Sequence, residues 1–476
     1  MKNRTNYLIK NTLIFAIGNI GSKLVSFLLV PFYTALLLPT EYGTIDIITT
    51  LSILISPLLM LNIHESVLRF LLEKKVTKEK VLSVCNLMLI LNIILSIITF
   101  FVFNSISEYH DYAIYISLLF FSVALQPLTL SYARGTEKVK TYAFLSVFHT
   151  LVTALTTILF LAVFKMKIDG YLLGLIIGNF SVYLIGLFIT DMHKYIFKFE
   201  LDKTYISMLL KYCVFLIPNS IFWWIINSSD RLMIKYMMDN TAVGYFAVAY
   251  KIPSILAIFA TIFAQAWQLT AITDDSSKEE SNQYANNLFN IVYTTLFIIS
   301  SFIMLLIRLV MKIYVAEDYY ISWQYVPLLL LCFIFLSLSN FVSVSFAKAK
   351  DTKNIMISSL IGASLNILLN YLLIPKYGIN GASFAACISY LSILVYKVLV
   401  GRKYIDYKLF TVKKGIYLAL FIGQLICIYL QNEILSYILL SILLIITIIL
   451  SIPEIKTMFK QFKGIINNKI KRKNNE

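Results

Sequence analysis

Residues 81–104 read VLSVCNLMLILNIILSIITFFVFN, 24 positions without one charged side chain. The apolar residues are continuous, whereas a strand of an outer-membrane barrel alternates polar and apolar every second position. As a helix the stretch rises about 36 Å at 1.5 Å per residue, enough for a hydrocarbon layer roughly 30 Å thick. Only a helix or a closed barrel satisfies its backbone hydrogen bonds in lipid, so this segment is a membrane helix. Comparable runs place further helices at about 12–37, 44–69, 113–132, 141–164, 171–190, 209–232, 245–271, 286–310, 324–346, 355–375, 380–400, 415–430 and 434–452. The fold class is therefore all-α and integral to the membrane, with about 14 transmembrane helices and no segment long enough for a separate soluble domain.

The whole-chain composition agrees. Of 476 residues, 59% are hydrophobic and 14% charged, with mean hydropathy +0.80. A soluble domain has about 45–50% apolar and about 25% charged residues, so a soluble enzyme and a disordered chain are both excluded. The net charge is +16. In a membrane protein that excess belongs to cytoplasmic loops, not to a nucleic-acid surface. With the N-terminus inside, the tails and even-numbered connections carry 32 of the 41 basic residues. The opposite side carries Lys165, Lys167, Arg231, Lys235, Arg308, Lys312 and Lys376, which leaves Lys23 and Lys251 inside helices. This bias predicts both termini in the cytoplasm and an even number of crossings. The first apolar run continues past signal-peptide length without a small-residue cleavage site, so it reads as a retained helix. The five cysteines all fall in apolar runs without metal-ligand spacing,.

An internal repeat organises the chain. Residues 8–46 align without gaps onto 209–247, so that Leu8, Lys10 and Gly43 match Leu209, Lys211 and Gly244. Residues 165–170 match 376–381, and 133–138 match 347–352, in the same order and at nearly the same spacing. Six helices per copy is an even number, so both copies enter the membrane in the same direction: a parallel repeat about an axis along the membrane normal. The expected organisation is an N-terminal six-helix bundle at 1–200, a second at 201–402, and two extra helices with a basic cytoplasmic tail at 403–476. Two similar halves around a central cavity form an alternating-access architecture.

Polar side chains inside the spans mark candidate sites. On helix 1, Asn19, Ser22, Lys23 and Ser26 share one face at i, i+3, i+4 and i+7,. Lys23 lies about 16 Å into a helix that begins near Thr12. A lysine at that depth costs at least about 2.5 kcal/mol unless it faces a partner or a wet cavity. Helix 7, the repeat partner of helix 1, carries Asn219, Trp223, Asn227, Asp230 and Arg231 on one face. Its amides and indole suit a sugar-bearing ligand, or else bond neighbouring helices. Asp230 and Arg231 near the outer end suit an ion pair that locks a conformation, or ligand contact. Helix 8 carries Lys251, Ser254, Thr261, Gln265 and Gln268 along a loose stripe. Helix 2 carries Asp46 and His64 on one face with Glu65 beside them, candidates for ion coupling or gating. The plainer readings are helix N-terminal stabilisation for Asp46 and pairing with Arg69 for His64 and Glu65. His149 reads as a satisfied packing histidine. No phosphate loop, zinc pattern or serine–histidine–acid grouping is present, so we expect a transporter, with no enzymatic activity, metal or cofactor.

Several motifs carry a resemblance. Leu38-Pro39-Thr40-Glu41-Tyr42-Gly43, Ser229-Asp230-Arg231, the run Val243-Gly244-Tyr245 through Ile252-Pro253, Lys350-Asp351-Thr352-Lys353 and Tyr377-Gly378-Ile379-Asn380-Gly381-Ala382 together resemble the Wzx-like polysaccharide flippases of the MATE-like MOP exporter superfamily. The likeness covers nearly the whole chain. It implies two six-helix bundles plus two helices. It also implies export of undecaprenyl-diphosphate-linked oligosaccharide repeat units from the inner to the outer leaflet of a bacterial cytoplasmic membrane, for O-antigen lipopolysaccharide or capsule. The partners implied are that glycolipid, membrane lipids, a polysaccharide polymerase and a chain-length regulator. Related lipid II flippases hold the diphosphate with cations on helices 1, 2 and 8. Lys23 and Lys251 match the first and last, whereas helix 2 here has only Arg69, at its inner end. The alternative is a cation-coupled MATE-type drug or metabolite antiporter, against which the two lysines argue, because a cationic drug prefers acidic walls.

Overall fold

The computed structural model describes residues 21–473 apart from 74–75, 197, 201 and 274–277. Among the described residues every regular element is helical. Ten helices among these residues are long and apolar enough to cross a membrane, so the chain is a multi-pass membrane protein. The principal helices are α1 (Gly21–Leu36), α2 (Pro39–Leu59), α3 (Ile63–Glu73), α4 (Lys78–Asn104), α5 (Ala113–Val123), α6 (Leu125–Gly135), α7 (Val139–Ile158), α8 (Lys167–Ile189), α9 (Lys203–Met237), α10 (Asn240–Thr273), α11 (Lys278–Tyr314), α12 (Val326–Lys348), α13 (Thr352–Gly401), α14 (Val412–Cys427) and α15 (Glu433–Lys473).

Local chemistry explains where these helices start, break and bend. Thr77, Asp202 and Thr411 cap α4, α9 and α14, each accepting from a backbone N–H two or three residues on,. The span expected at 113–132 breaks between Val123 and Leu125. Pro127 follows at the position whose ring collides with the carbonyl of Val123. The span expected at 44–69 is two helices, because Leu61 and Asn62 adopt positive φ of 46° and 53°. Asn62 is buried there and its amide donates to Ser220 Oγ at 3.1 Å. The spans expected at 355–375 and 380–400 meet without a loop, at a kink where Gly378 has φ 55° and ψ −135°. No L-residue adopts that backbone readily. Pro327 lies in the first turn of α12, where a missing N–H costs nothing. The basic tail is not separate: α15 passes through Pro453 and runs on to Lys473.

The chain forms two compact units. The first comprises Met1–Val248, Tyr314–Tyr320 and Asn370–Gly378. Its core packs Val67, Phe70 and Leu71 of α3 with Val84, Cys85 and Met88 of α4, Tyr132 of α6, and Leu209 and Cys213 of α9. On α8, Gly174 and Gly178 press against Thr157 and Thr153 of α7, where an added Cβ would stand 2.1 Å and 1.9 Å from the threonine hydroxyls. Small residues four apart allow this close helix contact in lipid. The second unit comprises Ala249–Ile313, Ile321–Leu369 and Ile379–Glu476. Its core is aromatic: Phe289 packs on Tyr293, Phe341 and Tyr407, and Phe297 on Tyr417 and Phe421. α12 is buried along most of its length.

Candidate functional site

In the first unit, α9 is fastened to α2 and α3 by polar contacts along its length. The Trp224 indole N–H donates to the Thr50 carbonyl at 3.0 Å. Further along, Arg231 Nε lies 2.6 Å from Asp46 Oδ2, with these side chains only 11% and 17% exposed. The guanidinium also donates to the Asn227 carbonyl at 2.9 Å and lies over the Phe246 ring, 5.7 Å from its centroid. The Asn227 amide turns back onto the Trp223 carbonyl at 2.6 Å. Asp230 points elsewhere, since adjacent helical residues do not face each other. It is buried and accepts from the Asn370 amide at 2.6 Å. The ion pair expected on helix 7 is thus made across helices, by Asp46 and Arg231. Asn219 and Trp223 are half-buried on the same helix.

The starts of α2 and α10 meet reciprocally. Thr40 Oγ1 and Thr241 Oγ1 are 3.0 Å apart. A Cβ on Gly43 would stand 1.8 Å from the Asn240 carbonyl oxygen, and one on Gly244 2.1 Å from that of Pro39. Pro39 and Asn240, Thr40 and Thr241, and Gly43 and Gly244 are all separated by the same 201 residues as the aligned segments. Only glycine lets the two backbones approach this closely. Other ion pairs in the same unit include Lys167 with Glu41 at 2.8 Å and Lys235 with Glu108 at 2.8 Å. Lys235 also bonds the Tyr109 hydroxyl.

Lys23 and Ser26 are exposed on α1, and Lys23 has no ion-pair partner among the described residues. Ser22 Oγ donates to the Ser146 carbonyl at 3.4 Å. Asn19 lies outside the described residues. Lys251 is half-buried and belongs to the second unit. On the same helix the hydroxyls of Ser254 and Thr261 return to carbonyls of their own helix, while the side chains of Gln265 and Gln268 lie outside the described set. His64 Nε2 is 3.6 Å from Glu65 Oε1. Arg69 does not join that pair: it binds Glu73 at 2.9 Å and stacks over Tyr212 at 4.5 Å. His149 is satisfied on both sides, with Asn179 Oδ1 at 2.9 Å and Gln126 Nε2 at 3.3 Å.

Sequence reasoning overlooked four polar groups here: Trp224, Asn370, Lys397 and Lys414. Lys397 counts by sequence with a cytoplasmic connection, yet it is wholly buried and donates to Ser339 Oγ and Ser343 Oγ at 3.1 Å and 2.9 Å. The signal available was its place four residues before the end of an apolar run, opposite a serine pair spaced one helical turn apart.

A bundle of apolar helices joined by buried polar contacts defines a multi-pass helical membrane protein. The chain belongs to the Polysaccharide biosynthesis protein family, whose model matches residues 8–269. It is 25% identical over 431 residues to an uncharacterized membrane protein of Methanocaldococcus jannaschii, covering 84% of this chain and 99% of that one. Among solved structures it is similar to the lipid II flippase MurJ in an inward closed conformation, with TM-score 0.69 and 15% identity over 94% of this chain and 100% of that one. An outward-facing MATE-family multidrug transporter of the MOP superfamily matches with TM-score 0.60 and 14% identity, over 84% of this chain and 95% of that one. A MOP-superfamily transporter from Pyrococcus furiosus matches with TM-score 0.56 and 13% identity, over 84% and 95%. The fold is the one these transporters share.

Proposed function

We propose that the chain translocates undecaprenyl-diphosphate-linked oligosaccharide repeat units from the inner to the outer leaflet of a bacterial cytoplasmic membrane by alternating access, with both termini in the cytoplasm. The observation that carries this reading is Lys23, exposed on a membrane helix without a carboxylate partner among the described residues. It lies 13 residues before Leu36, roughly 20 Å from that end of α1, and so within the hydrocarbon thickness. An ammonium there costs about 2.5 kcal/mol or more in lipid, and a wet recess or an anionic ligand removes that cost. A diphosphate supplies the anion, and the family supplies the glycan context. MurJ is named a lipid II flippase, and its fold matches nearly end to end. In the same scheme Lys251 is a second cation for the diphosphate. Asn219, Trp223 and Asn227 contact the sugars, Asn19, Ser22 and Arg231 complete the substrate-binding set, and Asp46, His64, Glu65 and Asp230 are the gating or ion-coupling groups.

The reciprocal contact of Thr40 with Thr241 supports alternating access. With the termini inside, the starts of α2 and α10 lie at the outer surface, so their contact closes that side. An inside-negative potential then drives an anion outward, by about 2.3 kcal/mol per charge per 100 mV. The test is the leaflet location of a labelled glycolipid in cells carrying Lys23→Gln or Lys23→Arg at normal protein level. The arginine variant keeps transport and the glutamine variant loses most of it. Wild-type transport by Lys23→Gln removes the lysine from the mechanism.

A further inference from the structure

The second unit holds a cationic cleft for which the transport reading has no use. It has a volume of about 110 Å³ and lies where α11, α14 and α15 come together, lined by Asn290, Thr294, Lys408, Lys413, Lys414 and Glu454 among others. Three ammonium groups face one carboxylate. Glu454 is engaged by Lys413, whose Nζ contacts its two oxygens at 2.6 Å and 2.7 Å. Lys414 is 7% exposed. Its ammonium bonds the Lys408 carbonyl and lies 4.8 Å from the centroid of Phe289, and it makes no ion pair among the described residues. Thr294 is 4% exposed, and neither its hydroxyl nor the Asn290 amide makes a hydrogen bond among the described residues. Lys414 and Thr294 are buried and Asn290 is half-buried, and their donors line one space with excess positive charge,. The space equals about three to four waters at roughly 30 Å³ each, which accommodates one phosphoryl group and not a glycan.

Depth identifies the source of that group. Asn290 and Thr294 stand where the polar first turns of α11 give way to its apolar run. Lys413 and Lys414 immediately precede the apolar run of α14, and Glu454 follows that of α15. All three helices therefore place the cleft at their polar ends, at headgroup level, where basic pockets between membrane helices hold acidic phospholipids.

We propose that this cleft binds the phosphodiester of an acidic phospholipid, with Lys414, Thr294 and Asn290 donating to its oxygens and Lys408 and Lys413 supplying charge at the mouth. The test uses the full chain purified in detergent, with native mass spectrometry after addition of phosphatidylglycerol or phosphatidylcholine, and thermal unfolding with either lipid or with inorganic phosphate. Wild-type protein retains one phosphatidylglycerol about tenfold more tightly than phosphatidylcholine, as one charge-assisted pair allows. Lys414→Gln loses that preference, Lys414→Arg keeps it, and the exposed Lys456→Gln leaves it unchanged. Thr294→Val, which alters no charge, weakens retention and decides the matter if Lys414→Gln does not fold. Equal retention by wild type and Thr294→Val or Lys414→Gln overturns the proposal. So does a loss at Lys456→Gln as large as at Lys414→Gln, which marks diffuse surface attraction. Protection by inorganic phosphate equal to that by phosphatidylglycerol overturns the lipid assignment and leaves a free-anion site.

Discussion

The ion pair between Asp46 and Arg231 permits a quantitative test of how α2 and α9 are held together. At 2.6 Å and an effective dielectric constant of about 20, the gross attraction is about 6 kcal/mol. Desolvation of both groups opposes much of it. Removing one partner of a buried pair typically costs about 3–5 kcal/mol, because the survivor is left uncompensated. The two single variants should differ. In Asp46→Asn, Arg231 keeps its bond to the Asn227 carbonyl and its place over Phe246, so the loss falls near the low end, about 3 kcal/mol. In Arg231→Gln the Asp46 carboxylate loses its only ion-pair partner among the described residues, and the loss approaches about 5 kcal/mol. The double variant removes both charges of the pair and should fall short of the sum by about 2 kcal/mol or more. Equilibrium unfolding by dodecyl sulfate in mixed micelles measures all four proteins. Single-variant losses that add to the double-variant loss within about 0.5 kcal/mol would refute a direct pair.

Other outcomes follow from the same geometry. Cysteines at positions 40 and 241, where the threonine oxygens are 3.0 Å apart, should cross-link under mild oxidation and stop glycolipid export until reduced; export that continues through a complete cross-link removes this contact from the transport cycle. Asp230→Ala removes the acceptor of the 2.6 Å bond from the buried Asn370 amide and should cost about 1–3 kcal/mol, whereas Asp230→Asn keeps an acceptor and should cost less; equal losses in the same unfolding assay would contradict the hydrogen bond. Asp351 caps α13 and is held below its ordinary value of 3.8 by hydrogen bonds from Asn354 and Tyr404. Its folded-state pKa is depressed, so its stabilising effect is complete above about pH 4–5 and fades as pH falls through the folded value. Thermal midpoints should therefore drop more steeply in acid for wild type than for Asp351→Asn, and parallel acid curves would count against it.

Much of the protein is legible from sequence because lipid imposes a local rule. Every crossing must be a self-satisfied helix, and a run such as 81–104 declares itself residue by residue. Helix periodicity likewise put Asn227, Asp230 and Arg231 on one stripe of α9. Periodicity does not say what that stripe meets. That Arg231 takes Asp46, 185 positions earlier, while its neighbour Asp230 takes Asn370 depends on the rotation and depth of three helices from distant parts of the chain. The same holds for Lys397, which the charge count groups with a cytoplasmic connection and packing seals against two serines. It holds too for the break at Leu61 and Asn62, which no proline or glycine at those positions announces. Hydropathy is a sum over neighbours in sequence, so it sets which segments enter the membrane. The choice of polar partners is made only once helices pack, because hydrogen bonds and ion pairs are decided over distances near 3 Å that local pattern cannot resolve.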